Sequence, residues 1–158
     1  GFGGGRDTRR KLEIMRDSRI GSYGVLALIL AVVFHMSLVA RLADPSRVIP
    51  VVIGISMASR SVLPLWLRVV PAARHDGLGQ SAAQVPRMAV IISLLLGLLG
   101  LLSLGFISAL WVAGVMLLCT ALVAWLAKSQ IGGQTGDVIG AMQKLSELTG
   151  WALVIALQ

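Results

Sequence analysis

Apolar residues in this chain occur in long uncharged runs. Short, strongly charged stretches separate these runs. The run from Ile20 to Ala40 has no charged residue unless His35 is protonated, and no charged residue occurs from Met88 to Ala127. A helix rises about 1.5 Å per residue, so about 20 apolar residues cross the ~30 Å hydrocarbon core of a bilayer. The first run therefore predicts one membrane span, and the second predicts two spans joined by a tight turn.

The complete pattern predicts an all-α fold, a polytopic integral membrane helix bundle with four to five transmembrane helices in a single domain, residues 1–158. The helices are expected at about 20–40, 48–67, 88–103, 108–127 and 138–157. The fifth is short of a full crossing, because apolar residues predominate only from Leu148. A basic segment at 1–19 and polar loops at 68–87 and 128–137 complete the prediction.

Composition excludes an ordinary soluble domain. The chain is 56% hydrophobic and only 13% charged, with a mean hydropathy of +0.86, which is typical of helical membrane proteins. We attribute the net charge of +7 to basic residues in cytoplasmic loops, where they would meet anionic lipid headgroups and phosphorylated substrates. We expect no nucleic-acid partner. A single cysteine, Cys119, excludes an internal disulfide and a cysteine-based metal cluster.

Basic residues are concentrated in the stretches that alternating spans place on one side of the membrane. Residues 1–19, 68–87 and 128–137 hold ten Lys and Arg, whereas the opposite side holds only Arg41 and Arg47. The positive-inside rule makes the first side cytoplasmic. The lipid bilayer is thus the first expected partner, and the sequence leaves open whether the protein forms an oligomer.

A glycine-rich stretch after the fourth predicted helix is the main candidate for chemistry. Gly132, Gly133 and Gly136 free the backbone there and expose amide groups, while Thr135 can cap the next helix and Asp137 falls in its first turn. Such a turn can hold a phosphate on its amides and a divalent cation on the carboxylate. The alternative is a glycine-rich connection between two membrane helices, with no ligand.

Further acidic and basic residues are predicted on the same side as this turn. Asp17 and Asp76 join Asp137 there among arginines, as expected for a Mg²⁺-dependent enzyme that acts on phosphate esters. Arg60 lies within the second apolar run, where an arginine costs ~2.5–3.5 kcal/mol. We expect it to face the bundle interior or a wet cavity; the alternative is snorkelling or a salt bridge.

Five segments resemble the family of cobalamin synthase, the adenosylcobinamide-GDP ribazoletransferases. They occur in the family's order and cover nearly the whole chain. The segments are Gly-Phe-Gly-Gly-Gly-Arg-Asp at 1–7, Leu-Glu-Ile-Met-Arg-Asp-Ser-Arg-Ile-Gly-Ser-Tyr-Gly-Val at 12–25, Ser-Arg at 59–60, Ala-Arg-His-Asp-Gly-Leu-Gly at 73–79 and Gly-Gly-Gln-Thr-Gly-Asp-Val-Ile-Gly-Ala at 132–141. Each segment is a weak signal alone, but the combination is highly specific.

The resemblance implies a Mg²⁺-dependent transferase of the bacterial inner membrane. In that family α-ribazole, or its 5′-phosphate, displaces GMP from adenosylcobinamide-GDP and forms adenosylcobalamin or its phosphate. With this chemistry we assign the catalytic and metal-binding roles to Asp137, Asp17 and Asp76. Binding of the substrate phosphates is assigned to Arg6, Arg16, Arg19, Arg60, Arg74, Gly132, Gly133, Thr135 and Gly136.

One departure from the family concerns the start of the chain. In the family an acidic stretch of the form Asp-Gly-x-Ala-Asp-x-x-Asp-Gly leads into the glycine-rich run, and this sequence begins at about its last glycine. The family also has further membrane segments before that stretch. The chain therefore resembles a C-terminal fragment, which we do not expect to be catalytically competent alone.

Two other functions are compatible with the pattern. A CDP-alcohol phosphotransferase acting on lipid would use similar chemistry, but the Asp-Ser-Arg and Gly-Gly-x-Thr-Gly-Asp segments do not belong to its signature. A non-enzymatic transporter subunit or membrane scaffold would place polar residues at mid-membrane depth in several spans. Only Arg60 fits that expectation well.

Overall fold

The computed structural model describes residues 2–3, 5, 7–17, 19–74 and 85–157, and this part of the chain is helical, without a strand. Its helices are α1 Thr8–Arg16, α2 Ser22–Leu42, α3 Pro45–Ser61, α4 Leu63–Val69, α5 Arg87–Leu102, α6 Phe106–Ile131 and α7 Gly136–Ala156. The prediction of an all-helical membrane-type bundle is confirmed.

Three helical stretches in the described part are long and apolar enough to cross a membrane: α2, α3 together with α4, and α6. The apolar α5 is shorter, at 16 residues, and α7 has the length but carries Lys144 and Glu147 on its central turns. The number of spans is therefore slightly below the predicted four to five. The predicted second span is divided at Val62, since Pro64 falls in the first turn of α4 and cannot continue the hydrogen-bond ladder of α3.

Small residues bring α3 and α5 into backbone contact. A Cβ atom added at Gly54 would lie 2.8 Å from the carbonyl oxygen of Gly100. About two turns away on both helices, the Ser93 hydroxyl donates to the carbonyl oxygen of Ser61 at 2.9 Å. Close packing of this kind is how helices associate where lipid removes the hydrophobic driving force.

The bundle is organised around α7, which contacts α2, α3, α4 and α6. Its Trp151 is almost fully buried and packs with Ile55 of α3 and Met116 of α6 in the larger apolar core. A second, smaller core lies at the other end of α7, around Met142 and Ile131. This second core supports the end of the bundle at which α6 connects to α7.

Asp44 caps the N-terminus of α3 and provides a pH-dependent contribution to stability. The Ser46 backbone N–H donates to its carboxylate at 2.9 Å, and this bond holds the pKa of Asp44 below its usual value of 3.8. A depressed folded-state pKa means that the contribution is complete above the usual value and is lost as the pH falls through the lower, folded-state pKa.

We therefore expect Asp44→Ala to lower the thermal unfolding temperature in detergent micelles at pH 7, and to do so less at pH 3. Asp44→Asn is the matched control, because asparagine caps a helix as well as aspartate but does not titrate in this range. Equal unfolding temperatures for Asp44→Ala and the native chain at pH 7 would show that the cap contributes nothing.

Candidate functional site

The glycine-rich turn links α6 to α7 with the local geometry that its residue types predict. Gly132 ends α6 in the left-handed conformation, with φ 78°, and its N–H donates to the carbonyl oxygen of Lys128 at 3.1 Å. Thr135 caps α7, and its hydroxyl accepts from the Val138 N–H at 3.4 Å. The left-handed position explains a glycine at 132, since few other residues adopt it without strain.

The turn lies directly against the segment that follows α4. The Gln134 N–H donates to the Pro71 carbonyl oxygen, and the Ala73 N–H donates to the Gln134 carbonyl oxygen, both at 2.8 Å. The approach is so close that a Cβ atom at Gly133 would lie 2.2 Å from the Pro71 carbonyl oxygen. Two of the three polar stretches predicted on one side of the membrane are thus joined by their backbones.

Helix α1 brings the third polar stretch to the same end of the bundle. The Thr8 hydroxyl donates to the Gln130 carbonyl oxygen at 3.4 Å, and the Lys11 ammonium donates to the Gln130 side-chain oxygen. From the other direction, the guanidinium of Arg74 donates to the Leu12 carbonyl oxygen at 2.6 Å. Because Lys11 sits at the C-terminal end of α6, its charge also complements the helix dipole there.

A cleft of about 530 Å³ opens between α1 and the segment after α4, and its lining is rich in arginine. The lining residues are Thr8, Arg9, Leu12, Glu13, Arg16 and Arg74. Glu13 is held by Arg9 at 3.4 Å and by Arg10 at 3.2 Å on the exposed side of α1. Three arginines against one glutamate give the cleft an excess of positive charge that suits an anionic ligand.

Two buried donors in this region make no hydrogen bond within the described residues: the Nε–H of Arg74 and the Nε1–H of Trp66. A buried donor without an acceptor costs about 1–3 kcal/mol. An acceptor oxygen from a ligand or water would remove that cost. Arg74 is therefore the described arginine with the clearest capacity for a further bond.

The two described aspartates of the predicted site differ in their surroundings. Asp137 is exposed in the first turn of α7. Asp17 ends α1, where its carboxylate accepts from the Arg19 N–H at 3.0 Å and pairs with the Arg19 guanidinium at 3.5 Å. Both belong to the stretches that converge at this end of the bundle. The predictions for Arg6 and Asp76 lie outside the described residues.

The described residues do not form a cation site by themselves. Within residues 7–17, 19–74 and 85–157, no group of three or more His, Cys, Asp or Glu side chains is placed to hold a metal ion. Asp137 offers an open carboxylate, but that of Asp17 already bonds to Arg19. The part of the chain that the structure describes thus supplies carboxylates for a partial ligand set only.

Arg60 is placed differently from the sequence-based expectation. Its side chain is exposed on the outside of α3, and its guanidinium turns back along the helix to donate to the Ser56 carbonyl oxygen at 3.0 Å. Among the described residues it therefore does not face the bundle interior, and the expectation of a wet cavity stays a prediction. A carbonyl in a helix keeps a second lone pair, which lets the guanidinium bond without a partner helix. Its role in phosphate binding stays a prediction.

We expect Arg60→Leu to reach the membrane and fold as well as the native chain, because the change removes a charge that bonds only within its own helix. Membrane-bound yield and thermal unfolding in detergent measure this. Ser56→Ala is the matched control on the same helix, since it keeps the carbonyl acceptor. A large loss of folded protein in Arg60→Leu would show that the guanidinium has a stabilising partner beyond Ser56.

Sequence reasoning missed Lys11 and Gln130, which hold α1 on the end of α6. Lys11 is only 8% exposed, an unusual burial for a lysine. The available signal was its position four residues before Met15, on the face of α1 that packs inward. Gln130 gave no signal, because its partner is 119 positions away in the sequence.

Comparison with known proteins places the chain in a family. The family model described as cobalamin-5-phosphate synthase matches residues 1–155. An adenosylcobinamide-GDP ribazoletransferase of Mesorhizobium japonicum is 43% identical over 94% of this chain and 57% of its own length. One from Bradyrhizobium diazoefficiens is 45% identical over 100% of this chain and 61% of its own. No solved structure matches the chain.

The chain thus spans less than two thirds of the length of these relatives. Within that span the match is nearly continuous, and it includes the glycine-rich turn, α1 and the segment after α4. On these matches, the chain belongs to the cobalamin-5-phosphate synthase family.

Proposed function

We propose that this chain is part of an adenosylcobinamide-GDP ribazoletransferase and holds the phosphates of adenosylcobinamide-GDP during the reaction. The observation that supports this is the convergence of three polar stretches at one end of an apolar bundle. There the glycine-rich turn is bonded to residues 71–73 and exposes Gly132 and Gly136, and a cleft lined by Arg9, Arg16 and Arg74 opens beside residue 74. Guanidinium groups suit the oxygens of a diphosphate, because their N–H donors can form charge-assisted hydrogen bonds with them.

The proposed reaction joins α-ribazole, or its 5′-phosphate, to the cobinamide phosphate. A ribazole hydroxyl oxygen bonds to the phosphorus attached to cobinamide, and the bond from that phosphorus to the bridging oxygen breaks. GMP leaves with the bridging oxygen, the hydroxyl proton passes to a base or to solvent, and adenosylcobalamin or its phosphate forms. Such a transfer depends mainly on positioning and on neutralising charge.

The placement of three arginines supports the phosphate-binding roles that we propose for them. Arg74 has a buried donor to spare, and Arg16 lines the same cleft. Arg19 adjoins Asp17 at the end of α1. The remaining assignments come from the sequence: they are Arg6, Arg60, Gly132, Gly133, Thr135 and Gly136. The glycines would shape the turn.

Mg²⁺ is the proposed cofactor, and Asp137, Asp17 and Asp76 are the carboxylates of this chain that we assign to it. Bound Mg²⁺ would neutralise charge on the phosphates. Because the described carboxylates make only a partial ligand set, the other ligands would come from the part of the relatives that this chain does not cover. Hard oxygen ligands of this type are those that Mg²⁺ prefers.

We propose a bacterial inner-membrane location with the site end of the bundle in the cytoplasm. The support is the charge distribution: ten Lys and Arg occur in the stretches at the site end, against Arg41 and Arg47 at the opposite end. The positive-inside rule then orients the bundle. Adenosylcobinamide-GDP carries a charged diphosphate, so a cytoplasmic site would meet it directly.

A chimera tests the proposal. It joins residues 1–158 to the part of the Bradyrhizobium diazoefficiens relative that this chain does not cover, and the assay follows GMP release from adenosylcobinamide-GDP. We expect release that requires both α-ribazole and Mg²⁺, and none from residues 1–158 alone. A folded chimera that releases no GMP, or releases it equally without α-ribazole, would contradict the proposed function.

A further inference from the structure

Helix α2 is attached to the bundle along a short stripe in its second half. Leu38 and Leu42 are its buried residues, and His35 and Val39 beside them are half-buried. The spacing of these positions is that of one helix face. Most residues before His35 are exposed, so the first half of α2 extends from its last anchor toward α1 without support from another described helix.

That last anchor is a polar cluster on α7. The Lys144 ammonium lies 3.0 Å from Nδ1 of His35 and 3.1 Å from Oε2 of Glu147. The Gln143 amide donates to the same glutamate oxygen at 3.3 Å, and the His35 ring packs on Trp151 with centroids 5.4 Å apart. An ammonium can only donate, so Nδ1 of His35 is the acceptor and the imidazole is neutral.

This hydrogen bond is the single polar side-chain contact from α2 to another helix among the described residues. In a bilayer, helices gain no hydrophobic driving force from association, so polar contacts and packing determine where they sit. Charged residues at this depth are costly and normally serve a purpose. A leucine at position 35 could pack on Trp151 equally well, so packing alone does not explain a histidine facing a lysine.

We propose that His35 and Lys144 are positioning residues for the transfer reaction. Their hydrogen bond seats α2 on α7 and so aligns the start of α2 with α1, which its own hydrogen bonds hold at the end of α6. The inference rests on the proposed function. The part of α2 between Ser22 and His35 is about 20 Å long, at 1.5 Å per residue. A rotation of about 3° about His35 then moves the start of α2 by about 1 Å, a displacement that can cost about 10²-fold in rate.

The seating of α2 is measured without substrate by the fluorescence of Trp151 in vesicles of brominated phospholipid. The reporter protein keeps Trp151 and replaces the other tryptophans, Trp66, Trp111 and Trp125, with phenylalanine. A second reporter keeps only Trp125, which is exposed to the surroundings of the bundle and gives the quenching of a lipid-facing indole. We expect weak quenching of Trp151, because α2 covers it.

Three variants of the reporter separate the hydrogen bond from packing. His35→Leu should raise the quenching of Trp151 toward that of Trp125, whereas His35→Gln should not, since its amide oxygen still accepts from Lys144. Ser37→Ala is the control on α2, because that hydroxyl bonds only to its own helix. Unchanged quenching in His35→Leu, or equal increases in His35→Leu and His35→Gln, would overturn the proposal.

The pH dependence of Trp151 quenching provides a second readout of the hydrogen bond between His35 and Lys144. A packing contact without a titrating group would not give this dependence. Two charged groups of α7, Lys144 and Glu147, act on His35. Helix α3 also packs on α2, but no charged group of its described residues acts on His35. Protonated His35 loses its acceptor and gains a charge beside Lys144. Acidification should therefore raise Trp151 quenching in the native reporter but not in His35→Gln, and identical profiles would contradict the proposal.

Turnover in the chimera then decides the positioning role. We expect His35→Leu to lower kcat by about tenfold or more with a smaller change in KM, as for a lost alignment, and His35→Gln to restore it. Normal kcat in a His35→Leu chimera whose Trp151 is exposed would overturn the positioning role. If the native chimera releases no GMP, the proposed function fails, while the fluorescence result still upholds or overturns the seating of α2.

Discussion

Gly133→Ala should destroy the site, because the new methyl group has no room. Its Cβ would lie 2.2 Å from the Pro71 carbonyl oxygen and 2.9 Å from the Ala73 nitrogen, and these are backbone atoms that cannot rotate away. The turn must then separate from the segment after α4, which breaks the two 2.8 Å hydrogen bonds of Gln134. With a cost of about 1–3 kcal/mol for each buried group left unpaired, we expect a large drop in unfolding temperature and little or no GMP release from the chimera.

Gly140→Ala is the matched control on the same stretch. A Cβ atom there meets nothing within 4 Å, and alanine in a helix interior is favoured over glycine by about 0.5–1 kcal/mol. Thermal unfolding in detergent should thus show a slight gain for Gly140→Ala and a loss for Gly133→Ala. Native stability and turnover in Gly133→Ala would mean that the turn does not lie against residues 71–73.

Asp137→Ala should abolish GMP release while the protein stays folded. Its carboxylate is exposed in the first turn of α7, so its removal costs at most the helix-dipole contribution of about 0.3–1 kcal/mol. Loss of one electrostatic contact to the reacting phosphate lowers turnover by about 10²–10³-fold. The measurement is GMP release by the chimera, alongside its unfolding temperature.

Asp44→Ala serves as the control for this variant, because it removes another exposed aspartate at a helix start. Asp44 caps α3, which begins at the opposite end from the glycine-rich turn, so its loss should lower stability but leave turnover intact. Unchanged GMP release in Asp137→Ala would remove this residue from the site, and the turn would then serve only as a connection between α6 and α7.

Local features of the fold could be predicted from the sequence because each depends on neighbouring residues. Uncharged runs indicated the helices, the residue types at 132–137 indicated a turn with a capped helix, and counting spans brought α1, residues 70–74 and the turn to one end. These inferences require only periodicity, capping preferences and a bilayer of known thickness.

Contacts between distant residues could not be predicted in the same way. The pairing of His35 with Lys144 joins positions 109 apart, and the approach of Gly133 to Pro71 depends on how two loops meet. Neither leaves a periodic signal in one sequence. The bond that Arg60 makes was not predicted for another reason: the cost of desolvation favoured the interior, but among the described residues a carbonyl of its own helix accepts from the exposed guanidinium.

The proposed site requires that the three polar stretches emerge together on the cytoplasmic side of the membrane. Single cysteines at Arg19, Arg68 and Ser129 in a Cys119→Ser background test it, with Ser46→Cys as the control for the opposite side. A membrane-impermeant maleimide is applied to inside-out and right-side-out vesicles. We expect the first three thiols to react only in inside-out vesicles and Ser46→Cys only in right-side-out vesicles. Labelling of any of the three in the same vesicles as Ser46→Cys would contradict it.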